Sequence, residues 1–163
     1  MSRLLWIIIL AIWIIFLSWI WWFFTCGPNA AGAGNENCGK VTLNDGNLLS
    51  YEDHGNIKFL RSSPTLIISD NYTDNALATV NNHLIEHDDR SVTITGYYES
   101  SEAYNSSTYT NLGEARADQI RQLFLENGIK ENQLSIRGNQ YEAECIDGDT
   151  MLKAATFAFG AIQ

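Results

Sequence analysis

The residues from Leu4 to Phe24 form an apolar run of twenty-one in which Ser18 is the only polar side chain. A helix rising about 1.5 Å per residue carries such a run across the hydrocarbon core of a bilayer. The run is longer than the apolar region of a secretory leader. It closes on Trp19, Trp21, Trp22, Phe23 and Phe24, where a leader places a small residue before the cut. It therefore reads as an uncleaved membrane helix, with tryptophans at the far interface and Arg3 and the amino terminus holding the start inside. The remainder is then expected outside the cytoplasm. The alternative is a lipoprotein acylated at Cys26, although Phe23-Phe24-Thr25 lacks the small residue expected before a lipidated cysteine.

This feature divides the chain into an anchor at 1–26, a flexible linker at 27–39 and one folded domain at 40–163, since 163 residues hold one span and one small core. From Gly27 to Asn37 the residues are small and polar without periodicity, and fully extended they reach only about 35 to 40 Å. Arg3 is the only charged side chain before Cys26, so the rest carries nine basic and nineteen acidic residues. A surface that acidic repels phosphate backbones, which excludes nucleic acid as a natural partner. No motif calls for a cofactor. Three cysteines in an oxidising compartment favour one bridge. Cys38 with Cys145 would tie the start of the domain to its last third, and Cys26 with Cys38 would staple the linker; the sequence does not choose.

Within the domain, Lys40–Leu43 and Leu48–Tyr51 flank the turn signal Asn44–Asn47, and Ile57–Leu60 is a further short strand; all three are expected as edge additions. Ala76, Leu77, Val80, Leu84 and Ile85 recur at helical spacing after Asp70 or Thr73 as caps. Val92–Thr95 alternates as a half-buried strand. A second helix, from about Gly113 to Glu126, carries Ala117, Ile120, Leu123 and Phe124 on one stripe and stops at Asn127-Gly128. Leu134–Ile136 and Ala154–Gly160 are the last strands. This order gives an α+β fold with helices packed on one face of a mixed sheet.

Two residues between these elements carry the chemistry. Glu99 follows the strand ending near Thr95, and Arg116 lies one turn into the second helix. A carboxylate facing a guanidinium is what grips a ligand bearing both an ammonium and a carboxylate, and the free backbone donors of the helix start add to the hold on an anion. Tyr97, Tyr98, Tyr104 and Tyr109 cluster around this pair, with Tyr98 beside Glu99. His83-Leu-Ile-Glu86-His87 has the spacing of a zinc-peptidase helix, but it lies at a helix end before Asp88-Asp89-Arg90 and lacks a third ligand, so it reads as an exposed polar terminus. Asp147-Gly-Asp149 with Glu144 lacks the ordered spacing of a calcium loop and reads as a turn. No Ser-His-Asp or Cys-His set appears, so no enzyme is expected.

The runs Val92-Thr-Ile-Thr-Gly96-Tyr-Tyr-Glu99, Leu112-Gly-Glu-Ala-Arg116-Ala117, Asn127-Gly128-Ile129 and Leu134 to Gly138 resemble the OmpA-like C-terminal domain, found also in peptidoglycan-associated lipoproteins and flagellar stator B subunits. The resemblance covers roughly Phe59 to Gly138. It implies non-covalent binding of peptidoglycan in the periplasm, with the acid at Glu99 receiving the ammonium of diaminopimelate and Arg116 holding its carboxylate. The family acid is usually aspartate, and the loop here is about two residues longer. The usual asparagine-arginine-arginine signature is replaced by Asp149-Thr-Met-Leu-Lys153. An alternative is an OmpA-like domain that has lost its ligand and serves as a structural or protein-interaction module. A motor stator is disfavoured, because its membrane helix needs an ionisable group and this one offers only Ser18.

Overall fold

The computed structural model describes residue 6 and residues 12–18, 40–54, 57–67, 76–102, 104–141, 146–152 and 154–162. The chain divides into two units, Met1–Glu36 and Asn37–Gln163. In the first, Trp6 and residues 12–18 are helical and their large apolar side chains are exposed. Among the described residues no helix is long and apolar enough to cross a membrane. Most of the span expected at 4–24 lies outside the described residues, as do the linker at 27–39, the caps Asp70 and Thr73, Glu144 and all three cysteines.

The second unit is α+β. In chain order it contains β1 (Lys40–Asn44), β2 (Ser50–His54), β3 (Lys58–Leu60), β4 (Leu66–Ile67), α1 (Ala76–Glu86), β5 (Arg90–Tyr98), α2 (Leu112–Glu126), a 3-10 turn (Glu131–Gln133), β6 (Leu134–Gln140), β7 (Ile146–Asp147), β8 (Thr150–Met151) and β9 (Ala155–Ala161). Strand β5 is central. Val92, Ile94 and Gly96 point into the core while Ser91, Thr93 and Thr95 face outward, the two-residue alternation of a half-buried strand. Along one edge β6 pairs with it in parallel, which requires a crossover, and α2 supplies it. Along the other edge β9 pairs antiparallel.

The remaining strands form two further pieces, an antiparallel sheet in the order β4-β3-β8-β7 and the hairpin β1-β2. The sheet is thus divided rather than continuous. The strands expected as edge additions are also part of the core, since Val41, Leu43, Ile57 and Phe59 are buried against both helices and β5. The hairpin register pairs Asn44 with Ser50, so the turn spans residues 45–49 and is longer than the Asn44–Asn47 signal suggests. The physical reason is Asp45, which is drawn inward to a buried histidine and an arginine and so cannot sit at a two-residue tip.

Leu77, Val80 and Leu84 of α1 meet Ile120 and Phe124 of α2 in one core with Ile94 and Phe157. Helix α2 stops as its sequence indicates. Gly128 takes φ 92 and donates to the Leu125 carbonyl at 3.0 Å, and Ile129 donates to that of Phe124 at 3.0 Å. This is the paired C-terminal closure that a left-handed glycine permits, with Ile129 buried behind it.

Candidate functional site

The site is built by the way α2 lands on the sheet. Its N-cap is Asn111, whose side chain accepts from the Glu114 amide at 2.9 Å, while the Glu114 carboxylate accepts from the Thr110 amide at 2.8 Å. This first turn rests directly on backbone. Gly96 of β5 and Gly138 of β6 are register partners, and Gly113 of the helix lies over both. A Cβ on Gly96 would stand 2.0 Å from the Gly113 carbonyl oxygen, and one on Gly138 would stand 1.9 Å from Asn111 Oδ1. The three glycines let helix and strands approach to a separation no side chain allows. Arg116, at the start of the next turn, is thereby carried inside.

Arg116 is 0% exposed. Its Nε donates to the Ser63 carbonyl at 3.1 Å, Nη1 to that of Tyr97 at 2.7 Å and Nη2 to that of Leu60 at 3.0 Å. Met151 Sδ lies 3.1 Å from Nη1, and the Phe59 ring centroid is 5.6 Å from the guanidinium carbon. The fork closes on Glu102, with Nη2 to Oε1 at 2.5 Å and Nη1 to Oε2 at 3.0 Å. This is the bidentate geometry in which arginine binds a carboxylate most strongly. The Glu102 side chain is 1% exposed. Its carboxylate also accepts from the Ser62 amide at 2.8 Å and the Glu99 amide at 2.8 Å. Burial alone would raise the Glu102 pKa. Hydrogen bonds from Arg116 and from the Glu99 and Ser62 amides, together with the guanidinium charge, outweigh it and hold the carboxyl below the usual glutamate range.

The carboxylate that faces Arg116 is therefore that of Glu102. Glu99 turns the other way: its Oε2 accepts from Ser101 Oγ at 3.0 Å and lies 3.7 Å from Arg61. The two acids are the first and fourth residues of a turn closed by the Glu102 amide donating to the Glu99 carbonyl at 3.1 Å. The signal that finds Glu102 is this spacing, since it is the only other acid between β5 and α2. Tyr98 is half-buried beside Glu99, and its carbonyl accepts from the Tyr141 amide at 2.9 Å. Further along the loop, Tyr109 donates to Asp118 Oδ2 at 2.6 Å, which pins the loop back onto α2.

A second buried polar group lies near the hairpin. His83 Nε2 is 2.8 Å from Asp45 Oδ2, and Arg90 closes on the same carboxylate with Nε at 2.9 Å and with Nη2. The His83 and His87 rings lie 4.6 Å apart, and His87 Nδ1 approaches the His83 carbonyl at 3.1 Å. The histidine that looked like an exposed helix end is thus 5% exposed. No group of three or more metal-ligating side chains occurs among the described residues. Asp147 ends β7, and Gly148 and Asp149 form the turn to β8, with Gly148 at φ 57.

Asp45 behaves like Glu102. Burial pushes its pKa up, and hydrogen bonds from Arg90 and His83 with their charges more than reverse this, leaving it below the usual aspartate range. Both carboxyls bind protons more weakly folded than unfolded. Their contribution to stability is complete above the ordinary carboxyl values, about 4, and is lost as pH falls through the lower folded values. The urea midpoint is expected to be flat from pH 8 to 5 and to fall below about pH 4, less steeply in Asp45→Asn. A midpoint that is unchanged at about pH 3 contradicts both depressed values.

Against known proteins, residues 58–150 match the model of the OmpA family. No curated protein matches the chain. Among solved structures, the peptidoglycan-associated lipoprotein from Burkholderia pseudomallei is 21% identical with a TM-score of 0.48, covering 64% of this chain and 88% of that one. The OmpA-like domain of FopA1 from Francisella tularensis is 20% identical with a TM-score of 0.45, covering 66% and 71%. The C-terminal domain of Helicobacter pylori MotB is 14% identical with a TM-score of 0.45, covering 75% and 84%. The family match takes in more than half of the chain and every residue of the Arg116 site except Met151, and the chain belongs to the OmpA family.

Proposed function

We propose that this chain is a membrane-anchored protein of the bacterial cell envelope whose OmpA-family domain lies in the periplasm and binds peptidoglycan non-covalently. The observation that carries this reading is the Arg116 fork closed on a carboxylate at the base of the loop between β5 and α2. Arg116 holds a stem-peptide carboxylate there, and Glu99, partly exposed at the lip of the loop beside Tyr98, receives the ammonium of the same diaminopimelate residue. A second reading has its own support: with Glu102 already filling the fork, the domain serves as a structural or protein-interaction module without a ligand.

Co-sedimentation with purified sacculi separates the two. On the first reading the chain pellets with sacculi, free diaminopimelate releases it, and Glu99→Ala weakens binding about tenfold or more with the fold intact. A chain that stays wholly in the supernatant sinks the first reading. Binding that Glu99→Ala leaves unchanged removes Glu99 from the site.

A further inference from the structure

The Glu102 carboxylate is held as a bound ligand would be. Oε1 receives Arg116 Nη2 at 2.5 Å and the Ser62 amide at 2.8 Å; Oε2 receives Arg116 Nη1 at 3.0 Å and the Glu99 amide at 2.8 Å. Two donors on each oxygen is near the capacity of a carboxylate. The donors are set largely by other contacts, the Glu99 amide by β5 just before it, where the Tyr98 carbonyl accepts from the Tyr141 amide at 2.9 Å. Arg116 is fixed by the carbonyls of Leu60, Ser63 and Tyr97, which surround the guanidinium on its other sides. Ser62 presents its amide from φ 54, a left-handed conformation that serine seldom adopts and that tends to occur where a backbone group is committed to a binding role. The occupant, by contrast, hangs on a four-residue turn whose middle residues, Ser100 and Ser101, are exposed. A preorganised set of donors around a tethered acceptor is the layout of a receptor with its site filled.

We propose that the cradle of Arg116, Ser62 N–H and Glu99 N–H is a carboxylate-binding site whose resting occupant is Glu102, and that a ligand carboxylate enters by exchanging with it as residues 100–102 swing outward. Exchange keeps one negative charge against Arg116 throughout, so the buried guanidinium is never left without its partner. The displaced Glu102 has a cation waiting at the surface. Arg61 has a side chain 43% exposed and already touches the turn, 3.3 Å from Ser101 Oγ and 3.7 Å from Glu99. That the natural ligand is a stem-peptide carboxylate rests on the reading above, whereas the cradle itself does not.

The test uses the full chain with Glu102→Gly and propionate, which returns the missing methylenes and carboxylate as a free molecule. At about 100 mM propionate the Tm of the variant is expected to rise by roughly 3 °C or more, while equal propionamide leaves it unmoved. Glu102→Gln keeps the shape but sets an amide donor against the fork; it is expected to respond likewise, or to fold only with propionate present. No response in either variant, folded or not, or an equal response to propionamide, overturns the cradle. Sacculi test the exchange separately. Where the wild-type chain binds them, a folded Glu102→Gln chain is expected to bind about tenfold tighter, because the internal competitor is gone. Equal or weaker binding overturns exchange. Propionate rescue in a chain that ignores sacculi supports the cradle and discards the wall polymer as its ligand.

Discussion

Replacing Arg116 with alanine is expected to lower the stability of the domain by about 3–5 kcal/mol, because it strands the Glu102 carboxylate in the interior without its counter-charge. The carbonyls of Leu60, Ser63 and Tyr97 lose a donor at the same time. Small domains hold only about 5–15 kcal/mol in total, so the variant should show a sharply lowered urea midpoint or partial unfolding at room temperature. Arg116→Lys should recover little, since one ammonium cannot reproduce a planar fork that spans a carboxylate and three carbonyls. The informative variant is the double replacement Arg116→Met with Glu102→Leu. It removes both charges together and should be less destabilising than either single change. If the two losses simply add, the pair is not coupled and its close geometry contributes nothing. Wall-binding measurements on Arg116 and Glu102 variants therefore need the fold checked first, which is why Glu99 is the better probe.

Gly96→Ala should be comparably severe. Its new methyl would stand 2.0 Å from the Gly113 carbonyl and 2.9 Å from the Ala117 amide, both backbone, so relief requires α2 to lift from the sheet. A loss of about 3 kcal/mol or more is expected, beyond ordinary overpacking because no flexible side chain can yield. At Gly138 the nearest atom is Asn111 Oδ1 at 1.9 Å, with the Glu114 amide behind it at 2.5 Å, so Gly138→Ala also costs the helix its cap. Gly160 is the control. Only Ser91 Oγ lies near, at 3.8 Å, and Gly160→Ala should stay within about 0.5 kcal/mol of wild type. Equal effects at Gly96 and Gly160 would mean that the helix seat is far looser than its backbone contacts imply.

What the sequence made legible was what local periodicity governs. Val92–Thr95 alternates, the α2 stripe has helical spacing, and Asn127-Gly128 closes the helix by a motif contained within six residues; each holds in the structure. Strands β4, β7 and β8 are two residues long, too short to carry a period, and exist only because β3 lies between β4 and β8. Asp45 reads as a turn residue from its neighbours Asn44 and Gly46. What makes it a buried ion is His83 and Arg90, brought to it by tertiary folding across dozens of residues. The same limit applies at Arg116. The motif locates the arginine, but whether the acid at position 99 or 102 meets it depends on the direction of one turn and on the Ser62 amide from a distant segment. Local spacing does not encode that choice.

The placement of β5 between a parallel and an antiparallel neighbour also sets a condition on how the domain is made. Its partner β9 lies about 60 to 70 residues further along the chain, and β6 is joined only through a whole helix, so chain closure precedes most of the reward from pairing. Assembly should fall toward the slow end for a domain of this size. Until it is complete, the Val92–Thr95 segment presents two open edges to any other strand it meets. A nascent chain of this kind is safest when something shields that segment until both pairings have formed.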